Sequence, residues 1–126
     1  MSSFFEHNLS RSSFLVTGGA GFIGSHVVEY LLNHGARFVR VLDNLSQGRR
    51  ENVEPFINKD NFELIVDDIS NLETCHQACQ SIDYVCHQAA LGSVPRSISF
   101  PDQTNTANVT GTLNLLIAAS KSKVSR

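Results

Sequence analysis

The chain has 126 residues, 41% hydrophobic and 17% charged, with a net charge of -2 and a pI near 6.2. That size suits one domain with a modest core, and the near-neutral charge gives no reason to expect nucleic acid or an anionic membrane as partner. No apolar run is long enough to cross a bilayer, and Met1 to Ser12 lacks a signal-peptide core. The expectation is a cytoplasmic protein, with a polar leader over residues 1–12, loose or docked, and one domain over residues 13–126.

Taken along the chain, apolar strand-like runs alternate with helical patterns. Phe14 to Val16 is a short apolar run that stops at Thr17 and a glycine cluster. From Phe22 to Asn33 the apolar positions Phe22, Ile23, Val27, Val28, Leu31 and Leu32 recur with helical period, and His34-Gly35 ends the helix. Phe38 to Leu42 reads as the second strand, closed by Asp43. Gln47 to Asn58 is polar, with a short helix expected around Pro55.

Phe62 to Val66 is the third strand. Leu72 to Ser81 is a short helix, capped by Ser70 or Asn71. Its Cys75 and Cys79 share one face. Three cysteines, with Cys86 the third, lack a close-spaced pair and a convincing fourth ligand. We therefore expect no disulfide and no metal, with Cys75 and Cys79 buried against the sheet as small apolar residues. Ile82 to His87 is the fourth strand, and Thr104 to Ser122 a long helix.

The order βαβαβαβα implies an α/β fold: a parallel sheet covered on both faces. Right-handed crossovers give the doubly wound Rossmann arrangement, strand order 3-2-1-4. Ligands bind such sheets at the carboxyl ends of the strands, where the winding reverses, here between the first and fourth. The segment Thr17-Gly18-Gly19-Ala20-Gly21-Phe22-Ile23-Gly24-Ser25 stands there, after a strand and opening a helix. Its glycines permit a tight turn and let a pyrophosphate approach main-chain N–H groups at a helix start. Asp43 lies 19 residues past Gly24, where a carboxylate can accept both ribose hydroxyls of adenosine. It would repel a 2′-phosphate, which favours NAD over NADP, while Arg49 and Arg50 are read as a solvated helix start.

These residues resemble the extended short-chain dehydrogenases, and among them the NAD-dependent sugar-nucleotide epimerases and dehydratases. The resemblance is carried by TGGAGFIGS, by Asp43-Asn44-Leu45-Ser46 with Gly48 after it, and by Asp68-Ile69. It continues in His87-Gln88-Ala89-Ala90 and in Asn108-Val109-Thr110-Gly111-Thr112. The stretch from His87 to Ile98, HQAALGSVPRSI, looks most like 4-epimerases acting on UDP-N-acetylglucosamine, UDP-N-acetylgalactosamine or their uronic acids.

The resemblance implies that Gly18, Gly21, Phe22 and Ile23 hold the pyrophosphate. Asp43 and Asn44 would hold the adenosine ribose, with Ser46 and Gly48 alongside. Asp68 and Ile69 would face adenine. Ala89, Ala90 and Asn108 would border the nicotinamide-side ribose. Gly92, Ser93 and Arg96 would reach the UDP-sugar. Related hexose epimerases often carry a lysine near Gly92, and its absence here leaves room for an N-acetyl group.

The family's chemistry uses a tyrosine and lysine in a YxxxK pair, the tyrosine taking the 4-hydroxyl proton while hydride passes to NAD. Neither Tyr30 nor Tyr84 has a lysine four residues on, so no catalytic residue is assigned here. The expectation is an inactive, NAD-binding portion of a UDP-sugar 4-epimerase, truncated before a fifth strand. Its fourth strand would be left as an exposed edge that favours pairing into a homo-oligomer such as a dimer. A dehydratase or decarboxylase of UDP-sugars, or a non-catalytic dinucleotide-binding module, remains the alternative.

Overall fold

A computed structural model of the chain describes residues 9–126. Four strands, β1 (Ser13–Thr17), β2 (Phe38–Asp43), β3 (Phe62–Val66) and β4 (Tyr84–His87), form one sheet in the order β3-β2-β1-β4. Every pairing is parallel, with Leu15 opposite Arg40 and Val85, and Val41 opposite Leu64. This is the doubly wound sheet expected from the alternation of strands and helices.

The first helix, α1 (Phe22–Asn33), covers one face through Val28 and Leu31. There they join Val16, Val39, Val41, Val53, Phe56 and Phe62 in one core. The opposite face is covered by α2 (Leu72–Ala78) and by the carboxyl-terminal half of the last helix. Its core holds Leu15, Leu42, Ile69, Cys75, Ala78, Cys79, Ile82, Leu115 and Ala118. Cys75 and Cys79 are fully buried there, as the helical spacing implied. Asn71 caps α2, its side chain accepting from the backbone N–H of Glu73 and Thr74.

Several expectations need correction. The helix expected around Pro55 is two short 3-10 turns, Arg50–Asn52 and Glu54–Phe56, as fits a polar segment that proline shortens. The second helix stops at Ala78 rather than Ser81, where Ser81 takes a left-handed φ of 60°. The fourth strand starts at Tyr84 rather than Ile82. A further short helix, α3 (Val94–Ser99), follows it, with Ser93 as its cap. The last helix starts earlier than expected: α4 (Pro101–Asn105) runs through a wider π-helical stretch, Thr106–Thr110, into α5 (Gly111–Lys121).

Residues 1–8 of the leader lie outside the described residues; Leu9–Arg11 form a 3-10 turn that docks on the domain. The N–H of Arg37 donates to the carbonyl of Leu9, and Leu9 packs against the first core. The outer edge of β4 is also not left bare. The carbonyl of Asp83 accepts from the N–H of Ser125 at 2.8 Å, and the N–H of Val85 donates to the carbonyl of Arg126 at 2.8 Å. The final residues thus already engage the edge that was expected to stand open.

Candidate cofactor site at the strand ends

Where the winding reverses, the loops after the strands enclose a crevice of about 760 Å³. That lies within the range of ordinary cofactor pockets. Its wall includes Gly18, Gly21, Phe22, Asp43, Asn44, Ser46, Gly48, Asp68, Ile69, Ala89, Ala90 and Arg96. Twelve of the sixteen residues assigned from sequence therefore meet in one place, although they come from five separate segments.

The loop after β1 is shaped by two glycines that no other residue could replace without movement. Gly18 has a left-handed φ of 67°, and a Cβ there would lie 2.7 Å from the N of Ala89. At Gly24 a Cβ would lie 2.1 Å from the carbonyl oxygen of Gly18, so α1 starts hard against the loop. The cap residue of α1 is Gly21, in extended conformation, and no side chain caps the helix start. The first intrahelical bond runs from Ser25 N–H to the Gly21 carbonyl, 2.9 Å. The N–H groups of Phe22, Ile23 and Gly24 precede it, the donors that a helix start leaves for an anion.

Asp43 closes β2 and is 7% exposed, with its carboxylate turned back onto the glycine loop. Oδ2 accepts from the N–H of Ala20 at 3.0 Å and Oδ1 from the N–H of Leu45 at 2.8 Å. Leu45 reaches this position with a left-handed φ of 61°. Two bonds leave lone pairs on the carboxylate for further donors. Gly48 comes close on the other side, where a Cβ would lie 2.7 Å from Oδ2. The Asp43 carboxylate is thus fixed in orientation by the protein's own contacts.

Next along the strand ends, Asn44 Nδ2 donates to Asp68 Oδ2 at 3.0 Å, which links the loops after β2 and β3. Asp68 Oδ1 accepts from the N–H of Ser70 at 2.9 Å. That backbone hydrogen bond is the main reason its pKa is lowered below the ordinary carboxylate value. Asp68 is not the cap of α2, a role taken by Asn71. Ile69 is 6% exposed; it borders the crevice while packing under Gly111.

Four assigned residues stand elsewhere. The side chain of Ile23 is 64% exposed on α1 and lines a separate shallow apolar groove with Phe22, His26, Val27 and Tyr30. Only its N–H belongs to the open start of α1. Gly92 and Ser93 are outside the crevice wall; Ser93, at φ 115°, caps α3, its Oγ accepting from the N–H of Arg96. Asn108 also misses the wall. Its Oδ1 accepts from the N–H of Leu91 at 2.7 Å and its Nδ2 donates to the Leu91 carbonyl at 2.9 Å. Both amide atoms are used to clamp the loop after β4, so Asn108 shapes the site from behind.

The crevice also takes residues that the sequence reading did not assign: Gln47, Asp67, Gln88, Phe100, Asp102, Gln103, Thr106 and Ala107. Phe100 stands at the α3–α4 corner, Asp102 and Gln103 on α4, and Thr106 and Ala107 at the start of the π-helical stretch. No periodic signal marked that turn, since Pro101 and a run of polar residues separate it from the apolar stripe of α5.

Arg49 and Arg50 are exposed, and Arg50 pairs with Glu54 at 3.8 Å, four residues on, which agrees with a solvated face. Neither tyrosine lines the crevice: Tyr30 stacks on His34 and Tyr84 on Phe14.

A family model described as the NAD dependent epimerase/dehydratase family matches residues 14–126. A UDP-glucuronic acid decarboxylase 1 of Danio rerio is 40% identical over 106 residues, 84% of this chain and 24% of that protein. A UDP-glucose 4-epimerase of Thermus thermophilus, solved in complex with NAD, is 42% identical with a TM-score of 0.78, over 89% of this chain and 35% of that one. A UDP-N-acetylglucosamine 4-epimerase of Methanobrevibacter ruminantium, solved with UDP-N-acetylmuramic acid, is 37% identical with a TM-score of 0.81, over 90% and 35%. The chain spans about a quarter to a third of the length of these proteins. Glycine loop, fixed acid, sheet order and a match over all but the first thirteen residues agree: the chain belongs to the NAD dependent epimerase/dehydratase family, whose cofactor is NAD.

Proposed function

We propose that this chain binds NAD in the strand-end crevice and forms the cofactor-holding part of a UDP-sugar 4-epimerase. The observation that carries the reading is the convergence of an uncapped helix start with the pre-oriented carboxylate of Asp43 on one crevice. The fit to a dinucleotide is chemical. Bare main-chain donors at Phe22 and Ile23 suit a diphosphate, and Asp43 with Asn44 suits a ribose diol. Asp68 beside Ile69 suits an adenine amino group and face. Ala89 and Ala90, small residues at the end of β4, let the nicotinamide half lie against the strand.

When bound, NAD supplies a hydride acceptor and donor for transient oxidation of the sugar at C4, through a 4-keto intermediate. This chain's own residues hold and orient; Arg96, on the crevice wall, is the side chain this reading assigns to a substrate phosphate. A proton-transfer pair is not among its residues, since His34 and Gln88 stand four residues after Tyr30 and Tyr84. The chain by itself is therefore inactive in this reading.

A UDP-N-acetylhexosamine or its uronic acid is the preferred substrate class, and polysaccharide precursor synthesis the setting. The HQAALGSVPRSI stretch and the lack of a lysine near Gly92 support this choice. The decarboxylase relative supports a second reading, in which the same cofactor part serves a UDP-sugar decarboxylase. Free thiols at Cys75, Cys79 and Cys86 favour a reducing, cytoplasmic setting. No helix among the described residues is long and apolar enough to cross a membrane. Exposed Val109, Leu113 and Leu116, spaced as one helix face, favour a homodimer.

Calorimetric titration of the chain with NAD and with NADP tests the cofactor reading. NAD is expected to bind more tightly, and Asp43→Ala to weaken NAD by about tenfold or more, the effect of losing charge-assisted hydrogen bonds. Equal affinity for both dinucleotides, or an Asp43→Ala variant that binds NAD as well as wild type, would overturn it.

A further inference from the structure

We infer that His87 is a positioning residue: as a neutral imidazole with its proton on Nε2, it ties β1 to the last helix through Thr17 and Thr112. In doing so it fixes the Gln88–Ala89 backbone on the cofactor side of the crevice. The inference rests on the cofactor reading for its consequence, but the hydrogen-bond geometry stands on its own.

His87 is the last residue of β4 and lies opposite Thr17 in the parallel ladder. Its Nδ1 is 2.6 Å from Thr17 Oγ1 and its Nε2 is 2.8 Å from Thr112 Oγ1. The direction of each bond can be deduced. Thr112 Oγ1 donates its proton to the carbonyl of Asn108 at 2.7 Å, so toward His87 it can only accept. Nε2 must then carry the imidazole proton, and Nδ1 is left as an acceptor. Thr17 Oγ1 gives its single proton to Nδ1. Its lone pairs receive the N–H of Ala89 at 3.2 Å and part of the N–H of Gln88, which donates at 3.0 Å both to Oγ1 and to the Thr17 carbonyl. The hydroxyl protons and the imidazole proton are each assigned one acceptor.

The relay ends where the cofactor would lie. The N of Ala89 is the atom that a Cβ on Gly18 would strike, so the Gln88–Ala89 backbone packs directly on the glycine loop. Gln88, Ala89 and Ala90 all line the crevice. At the far end Asn108, whose carbonyl receives the Thr112 proton, clamps Leu91 with its side chain. The two ends of the 88–91 loop are therefore held by one connected set of bonds.

Acid breaks this pattern. A second proton on Nδ1 would have to be accepted by Thr17 Oγ1, which already receives two N–H groups, and the Thr17 hydroxyl proton would lose its acceptor. Burial also disfavours the cation and lowers the His87 pKa from the ordinary histidine value. The groups packed around it offer no compensating charge. β1 carries no ionisable side chain, and the last helix beyond Asp102 carries only Lys121. On β4 the neighbours are Tyr84 and Cys86. From the α2 side, Asp67 bonds Thr74, and Asp68 bonds Asn44 and the N–H of Ser70; Glu73, His76 and the thiols of Cys75 and Cys79 complete the ionisable set, and none of these bonds His87.

The sign follows. With a folded pKa below the unfolded one, the contribution is fully present above the unfolded value, about 6.5, and is lost as pH falls through the folded value.

Nitrogen-15 NMR of the full chain without cofactor tests the relay. The imidazole of His87 is expected as the Nε2–H tautomer, titrating with a midpoint below about 6.5. The exchange protection of the Ala89 amide should fall about tenfold or more with the same midpoint, while that of Gln88, which also donates to the Thr17 carbonyl, should fall less. Thr112→Val should lower that protection at all pH values, and Thr112→Ser should restore it; His87→Gln should make it independent of pH. An Nδ1–H tautomer, or an Ala89 amide whose protection ignores both pH and Thr112→Val, would overturn the inference. Because Thr112→Val and Thr112→Ser keep the imidazole, they decide the matter even if His87→Gln does not fold. NAD titrations run beside these spectra should lose affinity with the same midpoint. Unchanged NAD affinity through that range would overturn the positioning role. Absence of NAD binding at every pH would instead sink the proposed function, with the imidazole spectrum still deciding the relay.

Discussion

Replacing Gly18 by alanine is the sharpest test of how the phosphate loop is built. Two costs add at this residue. The left-handed backbone, φ 67°, costs an alanine about 1–2 kcal/mol. Its methyl would also lie 2.7 Å from the N of Ala89 and 2.8 Å from the carbonyl carbon of Gln88, which are main-chain atoms of the β4 end and cannot rotate away. Overpacking of this kind costs about 1–3 kcal/mol. The sum is about 2–5 kcal/mol, a large share of the roughly 5–15 kcal/mol that stabilises an ordinary domain. For a chain of this size each kilocalorie lowers Tm by about 4 °C, so a fall of roughly 8–20 °C is expected. Thermal unfolding followed by circular dichroism measures it. Gly92→Ala is the control, because nothing lies within 4 Å of a Cβ there. A Gly18→Ala variant melting within about 2 °C of the control would refute the reasoning.

Other substitutions probe the remaining supports. Gly111→Ala would bring a methyl to 2.5 Å from Ile69 Cδ1, so α5 or the Ile69 wall of the crevice must move; a loss of about 1–3 kcal/mol in urea unfolding is expected. Arg40, with a side chain only 14% exposed, donates from Nη1 to the carbonyls of Ala78 and Gln80 and from Nε to Glu63. Arg40→Ala should cost about 2–3 kcal/mol, and Glu63→Ala, which removes only the more exposed partner, well under that. Burial raises the Cys75 thiol pKa to about 11 and pushes Cys79 up as well. An aromatic disulfide reagent at neutral pH should modify half-buried Cys86 first, with Cys75 and Cys79 reacting only as the chain opens.

Local pattern alone determined the sheet and the cofactor loop. Alternating apolar runs and helical periods fix β1, α1, β2 and β3 nearly to the residue, because each buries a face whose spacing is written in the chain. The glycine loop and Asp43 are legible for the same reason: they follow a strand at fixed offsets, and main-chain donors need no distant partner. What the tertiary structure decided are contacts between segments far apart in sequence. Asn108 turns to the Leu91 peptide, His87 joins Thr17 to Thr112, and the final residues pair with β4. These depend on where a π-helical stretch and a strand end meet in space, and neither periodicity nor spacing carries that information.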